Sequence, residues 1–169
     1  INNAHSHNDY LNKRPLYSAL ENNFKSIEVD VFLLKSDLYV GHNWLQLRKN
    51  KTIENLYLGP LWKLFNKNKG FIYQNKAPLF LLVDIKTTAE PTYDILKIIL
   101  KKYTPMLTRV VSDSLVQGSV TIILSGNKPG LEGFKYNIDR FVFLDGRFSN
   151  ISKNTSNLLI PIISIDWSD

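Results

Sequence analysis

Apolar and polar positions alternate through residues 26–34, with Ile27, Val29 and Val31 on one side and Glu28, Asp30 and Phe32 on the other. A period of two specifies a strand and excludes a helix. Residues 79–85 are apolar on both sides, which suits an interior strand of a parallel sheet. Shorter apolar runs at 1–6, 38–42, 120–124, 141–144 and 160–165 read as further strands, about six in the sheet. Between them the spacing turns helical. Leu16, Ala19 and Leu20 form the stripe of a helix over 15–23, with Pro15 in the favoured first turn. Residues 53–65 carry Leu56, Leu61, Leu64 and Phe65, with an interruption expected at Gly59-Pro60. Residues 91–103 turn Ile95, Leu96, Ile98, Ile99 and Leu100 inward. The runs Ser125-Gly126-Asn127-Lys128-Pro129-Gly130 and Asp145-Gly146 each follow a strand and read as turns. Strand then helix, repeated, argues a parallel α/β fold in one domain spanning 1–169.

The strand with the clearest alternation also carries the chemistry. Glu28 and Asp30 lie two apart and so share a face, where two like charges raise each other's pKa unless a cation separates them. Asp84 occupies the corresponding depth of the strand at 79–85, and Lys86 shares its face. A carboxylate inside apolar sequence is costly unless neutralised. Three carboxylates and one ammonium therefore ask for one divalent cation, and an all-oxygen ligand set suits Ca²⁺ or Mg²⁺ better than zinc. All three histidines fall within the first 42 residues. In-line displacement at phosphorus needs one group to take a proton from the attacking oxygen and another to give one to the leaving oxygen. His7 and His42, from different loops, fit those roles, and His5 competes with His7 because alternation gives both the same facing.

Composition narrows the class. A chain of 169 residues with 44% hydrophobic content can bury one sizeable core. No cysteine is present, which removes disulfides, thiolate nucleophiles and Cys-ligated zinc. The formal charge of +6 favours anionic partners. The basic residues are dispersed without aromatic interleaving, so nucleic acid is not the expected partner. No apolar run approaches the roughly 20 residues of a membrane helix. A start at Ile1 reads as the mature part of a longer precursor. Trp44 and Trp167 are expected near a substrate pocket, and Trp62 in the packing of its own helix.

Four elements in order carry a resemblance. Ser6-His7-Asn8-Asp9-Tyr10-Leu11 is similar to the S-H-N-T-Y-L signature of phosphoinositide-specific phospholipases C, and Ala4-His5 resembles the opening of glycerophosphodiester phosphodiesterases. Ile27-Glu28-Val29-Asp30-Val31 followed by Val40-Gly41-His42 resembles the E-x-D and H-D elements of the latter, and Val83-Asp84-Ile85-Lys86-Thr87 the D-L-K-T segment of spider sphingomyelinases D. Through Arg14-Pro15-Leu16, Ala19-Leu20 and Leu124-Ser125-Gly126-Asn127 the chain looks closest to the fungal "altered inheritance of mitochondria six" branch of that superfamily.

The resemblance implies a TIM (β/α)-barrel of the phospholipase C-like type, with about six of its strands present and the C-terminal part missing. It implies a divalent-metal phosphodiesterase acting on a glycerophosphodiester or phospholipid-type diester, with peripheral membrane contact and a secreted or periplasmic location. Metal ligation would fall to Glu28, Asp30 and Asp84, with Asn8 as a fourth ligand, phosphate contact to Lys86, and acid-base work to His42 with His5 or His7. The Arg-Gly and Glu-Asn-Thr elements of true glycerophosphodiesterases are missing. Two alternatives stand: an H-x-H metal hydrolase of the amidohydrolase or histidinol-phosphatase kind, holding its metals on His5 and His7, and a non-catalytic barrel that binds an anionic ligand.

Overall fold

The computed structural model of the chain describes residues 4–134, 139–152 and 155–164. Strand β1 (His5–Ser6) leads through a loop to a short helix, α1 (Tyr17–Glu21). Strand β2 (Ser26–Leu34) runs into a hairpin with β3 (Asp37–Val40). Helix α2 (Gly59–Lys67), strand β4 (Leu79–Ile85) and helix α3 (Ala89–Lys101) follow. A small hairpin of β5 (Arg109–Val111) and β6 (Ser114–Val116) precedes β7 (Val120–Gly126), β8 (Val142–Gly146) and β9 (Ile162–Ile163).

Six strands form one curled parallel sheet in the order β1-β2-β4-β7-β8-β9, with β3 antiparallel on β2. The alternation in β2 and β4 sets the two faces. On the convex face Ile27, Val29, Val31, Leu81, Val83, Ile85, Ile122 and Leu124 are completely buried. They share one core with Tyr57, Leu58 and Leu61 and with Leu96, Ile99 and Leu100 of α3. Each such aliphatic side chain contributes about 1.5–3 kcal/mol when removed from water. The concave face holds a smaller apolar cluster of Leu82, Ile123 and Phe143, above which the strands turn polar toward their carboxyl ends.

The expected (β/α) barrel is not what forms. Among the described residues β1 and β9 are the two edges of an open sheet, and only three α-helices accompany it. Past β7 the described residues of the connections form 3₁₀ turns at Leu131–Phe134 and Phe148–Asn150 and no α-helix. Their sequence explains this, because 126–134 holds three glycines and a proline and 147–157 is rich in serine and asparagine, with no apolar stripe for a helix to bury.

Local expectations are corrected as well. Gly59-Pro60 does not interrupt its helix: a π turn over Glu54–Leu58 runs directly into α2, with the Gly59 N–H donating to the Glu54 carbonyl. The widened turn makes room for the proline ring, and Pro60 has no N–H that would need a partner. Ile98 faces solvent, 59% exposed, whereas Leu96, Ile99 and Leu100 face the core. The β5–β6 hairpin was not anticipated; its two-residue turn, Ser112-Asp113, has φ of 47° and 61° without a glycine to announce it. The strand expected at 160–165 is reduced to two residues, and Trp167 and residues 1–3 lie outside the described residues.

Candidate active site

Sheet register assembles the site. Asp30 pairs with Asp84 across β2 and β4, and Asp84 with Ser125 across β4 and β7. The pairing of Leu124 with Leu144 continues the row to Asp145 of β8, where Ser125 Oγ donates to Asp145 Oδ2 at 3.1 Å. This polar row, with Glu28 one step below Asp30, lies at the carboxyl ends of the parallel strands, the place where open α/β sheets bind ligands.

Glu28, Asp30 and Asp84 present one oxygen each within 4.8 Å of one another. Lys86 Nζ lies 3.4 Å from Asp30 Oδ1 and 3.1 Å from Asp84 Oδ1. Both of those oxygens are buried and lack a hydrogen-bond donor in good geometry. Three carboxylates against one ammonium leave two negative charges, which matches one divalent ion. The all-oxygen donor set, with two buried oxygens that Lys86 meets as an ion pair, fits a hard cation. Burial raises the Glu28 pKa, with Asp30 and Asp84 adding to the rise and the Asn8 N–H and His7 opposing it. Burial likewise raises that of Asp84, against the pull of Lys86. On Lys86 burial opposes the charge, yet the two aspartates outweigh it and the ammonium is held above its ordinary range.

The histidines reach this centre from two loops. The β2–β3 hairpin returns the chain so that the Gly41 N–H donates to the Asp30 carbonyl, and the His42 N–H donates to Gln46 Oε1 at 2.9 Å. His42 Nδ1 then sits 3.1 Å from Asp30 Oδ2. With Nδ1 donating to that carboxylate, Nε2 is the nitrogen left to exchange a proton. From the β1 side, His7 Nε2 lies 3.4 Å from Glu28 Oε2. His5 pairs in register with Ser26, below the acidic row, and its Nδ1 is 2.7 Å from Ser26 Oγ. Burial lowers the His5 pKa, His7 lowers it further, and Asp145 raises it from the far side of the curl.

The loop that carries His7 and Asn8 is anchored by a residue that sequence reasoning passed over. Asp9 is fully buried and accepts from Ser6 Oγ (2.8 Å), Asn12 Nδ2 (3.3 Å), the Leu16 N–H (2.5 Å) and the Tyr57 hydroxyl (3.0 Å). Leu16 itself is held at φ 66° and ψ −56°, with the Tyr17 N–H donating to the Pro15 carbonyl at 2.8 Å. That is the rare γ-turn, sustained by a side chain with no exposed surface. Above it, Asn8 adopts φ 49°, and its N–H donates to Glu28 Oε2 at 2.8 Å.

Tyr10 is the second residue that was missed. Its hydroxyl lies 2.7 Å from both Asn8 Oδ1 and Asp30 Oδ2 and 3.5 Å from His42 Nδ1, so it links the expected fourth ligand to the Asp30–His42 pair. Burial and the neighbouring Asp30 raise its pKa, which keeps the phenol protonated. Its place in the His-Asn-Asp-Tyr run was the available signal, although only the loop's geometry reveals the contact. Asp145 had no such signal, because its membership depends on register. Trp44 packs edge-on against Phe32 at 4.8 Å and lines an open cleft of about 770 Å³ with Lys86 and Asn127. Trp62 stacks on Phe65 within its own helix, as expected.

The AIM6-like phosphodiesterase domain model matches residues 2–145. Among curated relatives, an "Altered inheritance of mitochondria protein 6 homolog" of Arthroderma benhamiae is 33% identical over 95% of this chain and 58% of its own length. The Lachancea thermotolerans protein of that name is 33% identical over 93% of this chain and 43% of its own, and that of Saccharomyces cerevisiae 29% over 93% and 47%. The chain thus spans about half the length of these relatives. No solved structure matches it significantly.

Proposed function

The chain belongs to the AIM6-like phosphodiesterase domain family, and from that premise we propose that it hydrolyses a small or lipid-derived phosphodiester with the help of one divalent cation. The observation that carries this reading is the convergence of Glu28, Asp30 and Asp84 to within 4.8 Å, with an imidazole against Glu28 and another against Asp30. The same arrangement supports kinship with glycerophosphodiester phosphodiesterases and phospholipases C.

Glu28, Asp30 and Asp84 would hold Ca²⁺ or Mg²⁺, with Asn8 as a further oxygen ligand; the ion would supply positive charge against the phosphate. Lys86, between two aspartates on the rim of the centre, contacts a non-bridging phosphate oxygen. One histidine accepts a proton from water as its oxygen bonds to phosphorus. The other gives a proton to the alcohol oxygen as the old P–O bond breaks. His7 is better placed than His5 for the first histidine role, because it sits level with Glu28 whereas His5 is held one step lower by Ser26. Asp30 orients His42 through Nδ1, and Tyr10 holds Asp30 in turn.

The test is turnover of a panel of phosphodiesters, followed by phosphorus NMR, with Ca²⁺, Mg²⁺ or EDTA. Hydrolysis that needs the cation and falls at least about 100-fold in His42→Ala is expected. Undiminished activity in His42→Ala would refute the two-histidine mechanism. Calorimetry showing no cation binding, together with unaltered turnover in EDTA, would refute the metal.

A further inference from the structure

The acidic row does not stop at Asp84, and its far end encloses a space of its own. A cavity of about 170 Å³ lies at the carboxyl ends of β7 and β8, lined by Gly126, Lys128, Gly130, Asp145, Gly146 and Ile160. A space of that volume admits a small polar group together with water. Gly126 forms the wall it shares with the catalytic centre. At φ 63° a Cβ there would overlap Asp84 Oδ1, and glycine therefore brings cavity and cation ligand into direct apposition.

Two charged side chains face this space. Asp145 is 2% exposed, and among the described residues its oxygens accept from the neutral hydroxyls of Ser125 (3.1 Å) and Ser164 (2.6 Å), with the guanidinium of Arg147 in a long ion pair at 3.9 Å. Each carboxylate oxygen has a second lone pair, so the group retains acceptor capacity. Lys128 stands within electrostatic reach of both Asp145 and Asp84, and burial works against its charge. An anion arriving at the row would relieve that cost, and a hydroxyl beside the anion would meet Asp145.

We propose that this cavity is the subsite for the alcohol that remains on phosphorus, and that it selects a short alcohol bearing a free hydroxyl, which donates to Asp145 while Lys128 contacts the diester anion. The inference rests on the phosphodiesterase reading and adds to it the substrate's second half. The structural alternative is that Asp145 merely ties β7 to the segment after β9 through the two serines. The two are separated by comparing two substrates that differ by one hydroxyl.

The probes are 3-hydroxypropyl p-nitrophenyl phosphate and propyl p-nitrophenyl phosphate, with p-nitrophenolate release as the readout. In each, the P–O bond to nitrophenolate breaks as water oxygen bonds to phosphorus. The wild-type chain is expected to favour the hydroxypropyl ester in kcat/KM by at least tenfold. Asp145→Asn should abolish that preference, bringing kcat/KM for the two esters to within about twofold of each other. Lys128→Met, at a half-buried position away from the core, should raise KM for both esters severalfold with little change in kcat. Equal losses on both esters in Asp145→Asn, tracking a fall in melting temperature, would mean a structural tie and overturn the subsite; so would wild-type turnover without preference. Turnover of neither ester would overturn the phosphodiesterase reading itself, and the subsite with it.

Discussion

The two faces of the sheet are built by alternate residues of the same strands, yet they are stabilised in opposite ways. On the convex face Ile27, Val29, Val31, Leu81, Val83 and Ile85 are sealed against helices and hold the fold together. On the concave face the neighbours of those residues, Glu28, Asp30 and Asp84, crowd three carboxylates around one lysine and leave two buried oxygens without hydrogen bonds. The contrast teaches that the site is maintained at the expense of stability supplied one residue away. A strand can carry both roles because its side chains point to opposite faces.

The sharpest break in that comparison is Glu28→Gln. It should reduce kcat/KM about 1,000-fold, equivalent to about 4 kcal/mol in the transition state, without lowering the melting temperature measured in EDTA. A marked drop in that temperature would mean that Glu28 supports the fold after all. Leu81→Ala, on the opposite face, should do the reverse: a loss of about 2–5 kcal/mol in denaturant titration, with kcat/KM per folded molecule unchanged. Gly126→Ala tests the point where the faces meet. Its φ of 63° and the overlap with Asp84 Oδ1 predict about 1–2 kcal/mol of destabilisation together with weaker cation binding, which calorimetry would read.

Smaller effects sharpen the contrast. Burial raises the folded-state pKa of Glu28 and Asp84 above their ordinary values of 4.5 and 3.8. Their protonated forms are thus favoured by folding. The stability they contribute is fully present below those ordinary values and is lost as pH rises through the raised ones. Thermal melts in EDTA should therefore fall by a few degrees from mildly acidic to neutral pH, and saturating Ca²⁺ or Mg²⁺ should flatten the slope. A flat profile in EDTA would show that neither carboxyl is strained. Ile98→Lys, on the exposed side of α3, should change stability by less than about 0.5 kcal/mol, which a urea midpoint would verify.

Much of this arrangement was legible before any coordinates. The alternation in 26–34 placed Glu28 and Asp30 together, and the doubly apolar run at 79–85 identified β4 as an interior strand at the depth that brings in Asp84. What could not be read depends on relations between distant segments. Asp145 joins the row only through the register of β7 with β8, and Tyr10 and Asp9 act through a loop whose backbone takes uncommon angles. The barrel, an expectation that came from the resemblance, does not form because the segments after β7 carry no apolar stripe for a helix to bury. Ile98 misled because an uninterrupted Ile-Ile-Leu run cannot face one side of a helix with 3.6 residues per turn.

Asp9 ties together the start of the histidine loop, the cramped leucine turn and the tyrosine of the π turn that leads into α2. The loop that carries His7 is consequently anchored in the fold, so a ligand that docked there would meet a loop already ordered. The entropy that a floppy loop would surrender at each encounter has already been given up once, during folding.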